Sequence, residues 1–362
     1  MVEYLNEHQV PPVEIEDPFA GFLLNGNSEA MKKKMLDDKY ILGEIALLGQ
    51  ATVLYAKPNT GKTLLTMFML AEKVIKKEID GSKVIYVNAD DTHRGLVQKL
   101  EIAEQTGFGM IAPGYQNFRA DTLLITIAKL IKTDTAHGVI IILDTLKKFT
   151  DIMDKRKASE FGRIVRAFVS KGGSMIMLAH TNKHRDTEGK LIYSGTSDIV
   201  DDVDCAYIMD SGEPDGLRTS VIFENIKSRG DVAKTAGYSY SAKEKQSYWE
   251  LLDSVMIVDE RERETAKKQQ SIEREIEKNS VLIAAIIECI SEGITLKTDL
   301  VDESRKRSGE SKKKVIAILS KYCGNSFKKG HRWFEKKGDR ASKNFELLPQ
   351  TMNEQFNNSN GE

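Results

Sequence analysis

The sequence predicts an α/β fold: a mainly parallel twisted sheet flanked by helices, followed by a small, mostly helical unit. Three observations carry this expectation. Between residues 40 and 254, short apolar runs alternate with helical patterns, as strand–helix–strand units require. Two of those runs, 139–143 (Val-Ile-Ile-Ile-Leu) and 174–179 (Ser-Met-Ile-Met-Leu-Ala), are apolar throughout, which suits strands covered on both faces. Beyond residue 258 the composition turns almost wholly charged, and only then does a second apolar-patterned segment begin.

Taken in order, residues 1–30 hold Pro11, Pro12 and Pro18 among acids and predict an extended arm. The α/β core is expected over 31–258. Its strands fall at 52–55, 83–88, 139–143, 174–179, 205–209, 219–224 and 248–252, with helices near 62–78, 93–106, 121–132 and 157–171. Residues 259–279, with runs such as Asp-Glu-Arg-Glu-Arg-Glu, predict a solvated helical linker. Residues 280–348 carry amphipathic helices at 280–290, 295–303 and 311–322, the last with Val315, Ile318, Leu319 and Tyr322 on one face. A basic hairpin turning at Gly338-Asp339 follows, and that order predicts a winged-helix-like domain. The tail 349–362, rich in Asn, Gln and Ser, is expected to be disordered.

A net charge of −1 over 362 residues gives no overall basicity, so any nucleic-acid binding must come from local patches. Cys205, Cys289 and Cys323 are far apart in apolar surroundings, which argues against a disulfide framework or zinc site. No run approaches 18 apolar residues and the first ten residues lack a signal-peptide pattern. The expectation is a soluble, cytoplasmic protein with no membrane partner.

The most specific motif is Ala56-Lys57-Pro58-Asn59-Thr60-Gly61-Lys62-Thr63, followed by Leu64, set between an apolar run and a helical one. Strand, loop and helix in this order form a phosphate-binding loop. Backbone N–H groups and the helix N-terminus face the phosphates, Lys62 neutralises the β/γ oxygens and the Thr63 hydroxyl holds Mg²⁺. ATP and Mg²⁺ are the ligands this implies. Only the first glycine is missing; Ala56 serves there if its φ stays negative. Asp144 ends the 139–143 run, where a carboxylate can order the metal through water. Asp90 follows the 83–88 run and is placed to polarise an attacking water, with Asp91 or Thr92 capping the next helix; plain capping by all three is the other reading. His180 ends the 174–179 run, placed to sense the γ-phosphate, and opens a cluster with Lys183, His184 and Arg185.

Asp144-Thr145-Leu146, His180-Thr181-Asn182-Lys183 and Lys227-Ser228-Arg229, together with the phosphate loop, resemble the RecA-like ATPase core, and within it the RepA-like replicative helicases of plasmids and phages, relatives of the DnaB helicases. The likeness covers roughly residues 30–255. It implies that Lys62 and Thr63 are the phosphate-loop lysine and hydroxyl, Asp144 the second acidic motif and His180 the γ-phosphate sensor. Asp90 stands where the family carries a catalytic glutamate, one methylene longer. Lys227 and Arg229 match residues that reach a neighbouring subunit's ATP as an arginine finger, although by spacing alone they read as exposed residues of an edge strand. A ring homo-oligomer, a hexamer, is implied, because ATP then sits between subunits.

Two cationic loops are candidates for gripping single-stranded DNA: Lys147, Lys148, Lys155, Arg156 and Lys157, then Lys183, His184, Arg185 and Lys190. The C-terminal unit is a candidate for DNA binding through its third helix and hairpin, or for a docking or oligomerisation module; a replication initiator or loader is a candidate partner of the protein. Two further readings stay open: a RecA-related recombination or strand-annealing ATPase, and a degenerate nucleotide-binding regulator of DNA.

Overall fold

The computed structural model describes residues 22–33, 39–185, 191–195, 197–212, 217–337 and 342–349. Residues 1–37 and 38–362 are separate compact units. In the first, helix α1 (Ser28–Lys33) follows the exposed side chains of Phe22, Leu23 and Leu24. The arm expected over residues 1–21 lies outside the described residues.

In the second unit the strands are β1 (Tyr40–Leu42), β2 (Ala46–Leu47), β3 (Ala51–Ala56), β4 (Val84–Asn88), β5 (Gly109–Ile111), β6 (Ile140–Asp144) and β7 (Ser174–Arg185), then β8 (Leu191–Tyr193), β9 (Cys205–Ser211), β10 (Arg218–Lys227), β11 (Thr235–Ser241), β12 (Met256–Ile257), β13 (Trp333–Lys337) and β14 (Lys343–Leu347). The helices are α2 (Lys62–Ile75), α3 (His93–Thr106), α4 (Thr122–Lys132), α5 (Lys155–Ser170), α6 (Ser197–Asp202), α7 (Tyr248–Asp253), α8 (Glu260–Lys278), α9 (Ser280–Ser291), α10 (Lys297–Ser308) and α11 (Lys312–Lys321).

The large sheet runs β12-β11-β10-β9-β3-β7-β6-β4-β5, with β8 paired to β7. From β9 to β5 all pairings are parallel, and β10 to β12 add an antiparallel flank. This is the expected mainly parallel α/β sheet flanked by helices, with a small C-terminal unit. Its central strands are apolar throughout because each face meets its own core. Leu54, Ile142 and Leu178 pack with α2 on one side, whereas Val53, Ile141 and Met177 pack with α5 on the other. Successive side chains of a strand point to opposite faces, so one uninterrupted apolar run supplies both.

Two strands differ from expectation. Residues 248–252 form α7, not a strand, because Ser247 and Glu250 make a reciprocal capping box that starts a helix there. The neighbouring flank strand is β11, whose Tyr238 and Tyr240 stand on one face, alternating with Ser239 and Ser241. Strand β7 does not end at residue 179 but continues to Arg185 and pairs with β8 as an antiparallel hairpin.

The charged stretch after residue 258 is helix α8, but it is not merely solvated. Gln270 is buried and donates to the Asp210 carbonyl at 2.9 Å, and Arg274 pairs with the Asp210 carboxylate at 2.8 Å. Arg263 donates to the Thr235 carbonyl, also at 2.9 Å. A strongly polar helix thus docks on the large sheet through hydrogen bonds, while Ile276 packs against the C-terminal core.

The C-terminal segment has a core of its own. Ile286, Leu300, Val315 and Leu319 surround Trp333, which is fully buried and donates its indole N–H to the Leu319 carbonyl at 2.8 Å. Helices α9, α10 and α11 precede the β13–β14 hairpin, and an isolated bridge joins Leu296 to Asn344. The turn expected at Gly338-Asp339 and the tail from residue 350 lie outside the described residues. Trp333→Ala should destabilise this segment by about 3–5 kcal/mol, the scale for deleting a buried tryptophan. Urea unfolding followed by hydrogen exchange should show α9–α11 losing protection while β3, β6 and β7 keep theirs.

Candidate functional site

Strand order alone gathers the motifs. Strands β3, β7, β6 and β4 lie side by side and parallel, so Lys62, His180, Asp144 and Asp90, distant in sequence, meet at their carboxyl ends. That end of an open parallel sheet is where ligands bind.

The loop from β3 to α2 has the geometry of an anion cradle. Ala56 is the last residue of β3, fully buried and paired with His180 and Met209, so extended backbone serves and no glycine is needed. Asn59 (φ 63°) and Gly61 (φ 84°) take left-handed conformations that turn the loop. The Thr60 hydroxyl donates to the Lys57 carbonyl at 2.9 Å, which braces the turn. Gly61 caps α2 without a side-chain hydrogen bond, leaving the helix N-terminus open to an anion. Lys57, Pro58, Asn59, Gly61, Lys62, Thr63 and Leu64 line a cavity of about 380 Å³ together with Asp90 and His180.

Beneath the cavity lies a buried acid. Thr63 Oγ1 and Tyr86 Oη donate to Asp144 Oδ2 at 2.7 and 2.8 Å, whereas Oδ1 is buried with no hydrogen-bond partner among the described residues. Burial pushes the Asp144 carboxyl up and the Lys62 ammonium down from their ordinary values, and each group's charge draws the other partly back. A hydroxyl, a carboxylate and an unsatisfied carboxylate oxygen form a hard donor set that fits Mg²⁺. This cation binds few protein ligands and completes its shell with phosphate oxygens and water. The Asp144–Thr145 peptide is cis, and the Thr145 hydroxyl donates to the Leu178 carbonyl at 2.7 Å.

The two neighbouring acids separate cleanly. Asp90 is exposed and lines the cavity. Asp91 turns away: Lys99 Nζ and Asn88 Nδ2, the latter at 2.7 Å, both donate to its Oδ2. Neither Asp91 nor Thr92 makes the expected side-chain cap of α3. His180 lies within β7 beside Ala56, and its Nδ1 is buried without a hydrogen-bond partner among the described residues. Burial, then the charges of Lys62 and Lys147, pull His180 below its ordinary value, which favours the neutral imidazole.

Lys227 and Arg229 stand elsewhere. Because β10 runs antiparallel to β9, its end lies at the amino ends of the parallel strands. The length of β3, about 17 Å at 3.3–3.4 Å per residue, separates that end from the phosphate loop. Lys227 Nζ donates to the Val200 and Asp201 carbonyls at 2.7 and 2.6 Å. Arg229 is half-exposed and reaches Asp204 only at 3.7 Å, where Arg166 is the nearer partner at 2.7 Å. Asp204, from an acidic run with no evident role in the sequence, also accepts the Ala51 N–H at 3.0 Å.

Of the cationic loops, Lys147 and Lys148 are exposed in a single 3₁₀ turn after Asp144, and Lys155, Arg156 and Lys157 are the exposed first turn of α5. The side chains of Lys183, His184 and Arg185, and all of Lys190, lie outside the described residues. Sequence reading missed Tyr240 and Tyr248, which line the cavity from β11 and α7. The Ser247/Glu250 capping box and the Tyr-Ser-Tyr-Ser alternation were the signals for the elements that carry them.

Residues 37–186 match the family model of an AAA domain. No curated protein matches the chain. Among solved structures, a KaiC-like protein from the hyperthermophilic archaeon Pyrococcus horikoshii aligns with 62% of this chain and 98% of its own at 13% identity, with a TM-score of 0.42. The AAA match spans β3 through β7 and thus every motif gathered at the cavity. The chain carries a P-loop ATPase module, and no described helix is long and apolar enough to cross a membrane.

Gly61→Ala tests the cradle. A β-carbon there would stand 2.7 Å from the Tyr240 ring, and φ of +84° adds strain of about 1–2 kcal/mol. The variant should unfold at lower urea concentration and bind a fluorescent adenine nucleotide at least about tenfold more weakly, the factor corresponding to 1.4 kcal/mol.

Proposed function

We propose that this P-loop ATPase hydrolyses ATP to drive movement along single-stranded DNA as a ring of identical subunits, in the manner of a RepA-like replicative DNA helicase. The observation that carries the reading is the division of the machinery between the two ends of the sheet. Groups for phosphate, metal and attacking water converge at one end, while the half-exposed Arg229 stands at the other, beyond reach of its own cavity. A second copy's nucleotide is the γ-phosphate it can approach. A ring, with six subunits as the resemblance implies, brings the two ends together.

In this reading Lys62 and the loop N–H groups bind the phosphates of ATP, and Thr63 and Asp144 hold Mg²⁺. When bound, the metal neutralises charge that develops on the phosphate oxygens. Asp90 orients and polarises the attacking water, a role its exposure to the cavity supports and Asp91 cannot share. His180, whose buried Nδ1 has no hydrogen-bond partner among the described residues, senses the γ-phosphate. Lys227 braces the loop that carries Arg229 by tying it to the C-terminal carbonyls of α6.

Single-stranded DNA is assigned to Lys147, Lys148 and the first turn of α5. Cations in a first turn oppose the helix dipole, so Lys155, Arg156 and Lys157 fit an external anion better than local stability. The C-terminal segment is read as a winged-helix-like domain. Four of its lysines pair with acids within it: Lys312 with Asp302, Lys314 with Glu310, Lys336 with Glu346 and Lys343 with Glu335. Lys313, Lys329 and Lys337 are also exposed on it, so the segment suits DNA binding as well as docking of a replication initiator or loader. The assembled cavity weighs against a degenerate regulator.

Arg229→Ala is the decisive variant. It should bind ATP and assemble normally yet hydrolyse roughly 10³-fold more slowly, since arginine fingers supply about 10³–10⁵. Mixing it with Lys62→Ala, itself inactive, should restore turnover through interfaces that pair an intact loop with an intact finger. An active Arg229→Ala monomer, or no recovery despite proven co-assembly, would sink the shared site. Fork unwinding by wild type, with stimulation of its ATPase by single-stranded DNA, tests the helicase reading. Hydrolysis indifferent to DNA would leave a P-loop ATPase of another kind.

Asp90→Asn should keep nucleotide affinity and slow turnover by about 10²-fold or more, the scale for losing a general base. Single-turnover hydrolysis beside equilibrium binding separates the two effects.

A further inference from the structure

Lys99 has no part in the machinery above, yet it is a buried ammonium. It projects from α3, is 7% exposed, and donates to Asp91 Oδ2. Its Nζ also lies 5.1 Å from the centroid of the Tyr248 ring, which lines the nucleotide cavity from α7. The Asp91 carboxylate sits where a side chain on Gly95 would stand, since a β-carbon there would approach its Oδ1 to 2.7 Å. The turn between β4 and α3 is then held from two sides. Asn88 bonds Asp91 with its side-chain amide, and the Ala89 N–H donates to the Asp144 carbonyl at 2.6 Å. Asp90 is the residue between these anchors, and it faces the cavity.

A buried ion pair contributes little net stability, because desolvation offsets the attraction and apolar residues of like volume often do as well. What it supplies is geometry. Removing the ammonium would leave Asp91 drawn toward water and free the turn to rotate, carrying Asp90 with it. Displacing a reacting group by about 1 Å can slow a reaction about 10²-fold.

We propose that Lys99 is a positioning residue for ATP hydrolysis: by clamping Asp91 and seating against Tyr248, it fixes the turn that aims Asp90 into the cavity. This rests on the reading of Asp90 as the group that polarises water. It adds a link between the Tyr248 side of the cavity and the catalytic turn, through one ammonium.

The test uses the full chain with Lys99→Met, Asp91→Asn and the double variant, well below their melting temperatures. Turnover is expressed per site titrated by a fluorescent adenine nucleotide, so unfolded protein does not count. Lys99→Met should lower kcat at least about tenfold, short of the 10²-fold seen for full misplacement, with nucleotide affinity within threefold of wild type. The double variant should be no slower than the worse single one, because both changes open the same clamp. If Lys99→Met fails to fold, Asp91→Asn keeps the side-chain volume and should show the same fall in kcat. A kcat within twofold of wild type in the foldable variants, losses that multiply in the double variant, or a loss confined to nucleotide affinity would each overturn the proposal. Active wild type with unaffected variants would defeat this inference alone. A wild type that binds nucleotide and never hydrolyses it would defeat the proposed function and this inference with it.

Discussion

The candidate site is organised around the buried carboxylate of Asp144. Asp144 ends a strand that is apolar on both faces, where an isolated anion would be costly. Three groups from two other places in the chain make it tolerable: the Thr63 hydroxyl and the nearby Lys62 ammonium at the start of α2, and the Tyr86 phenol of β4. Each arrives only if its strand is in register. Tyr86 requires β4 against β6, and Thr63 requires β3 to deliver α2 one strand beyond β7. Fold and site therefore stabilise each other, and the carboxylate oxygen left over is the one available to a hydrated cation.

Much of this was legible in the sequence because it depends on local pattern. Gly61-Lys62-Thr63 after an apolar run specifies a strand, a left-handed turn and a helix start without reference to the rest of the chain. The apolar runs of β6 and β7 announce strands between two cores. What escaped depends on context. Tyr-Trp-Glu-Leu-Leu at 248–252 has strand-like residues, and only the Ser247/Glu250 cap shows that a helix is meant. The turn at Asp90 and Asp91 places two identical side chains in succession, and no sequence rule says which faces the cavity. The answer comes from Lys99, eight residues on, and from the space at Gly95.

The C-terminal segment shows a different economy. Its core around Trp333 shares no residue with those of the large sheet. Helix α8 lies between them in sequence and bonds to both sides, to Asp210 through Arg274 and to Lys321 through Glu275 at 2.7 Å. Ile276 packs against the C-terminal core, but on the side of the large sheet directional bonds take the place of apolar burial. Such bonds exchange readily with water, so the attachment is specific in angle while modest in strength.

The two borders of the large sheet have a further consequence. They are β5, with three residues, and β12, with two. Strands so short expose few unpaired backbone donors and acceptors, the template on which foreign strands add and fibrils grow. Short borders thus disfavour backbone zippering between copies. Any contact between copies would run through side-chain surfaces, whose geometry can be rearranged without tearing a ladder apart.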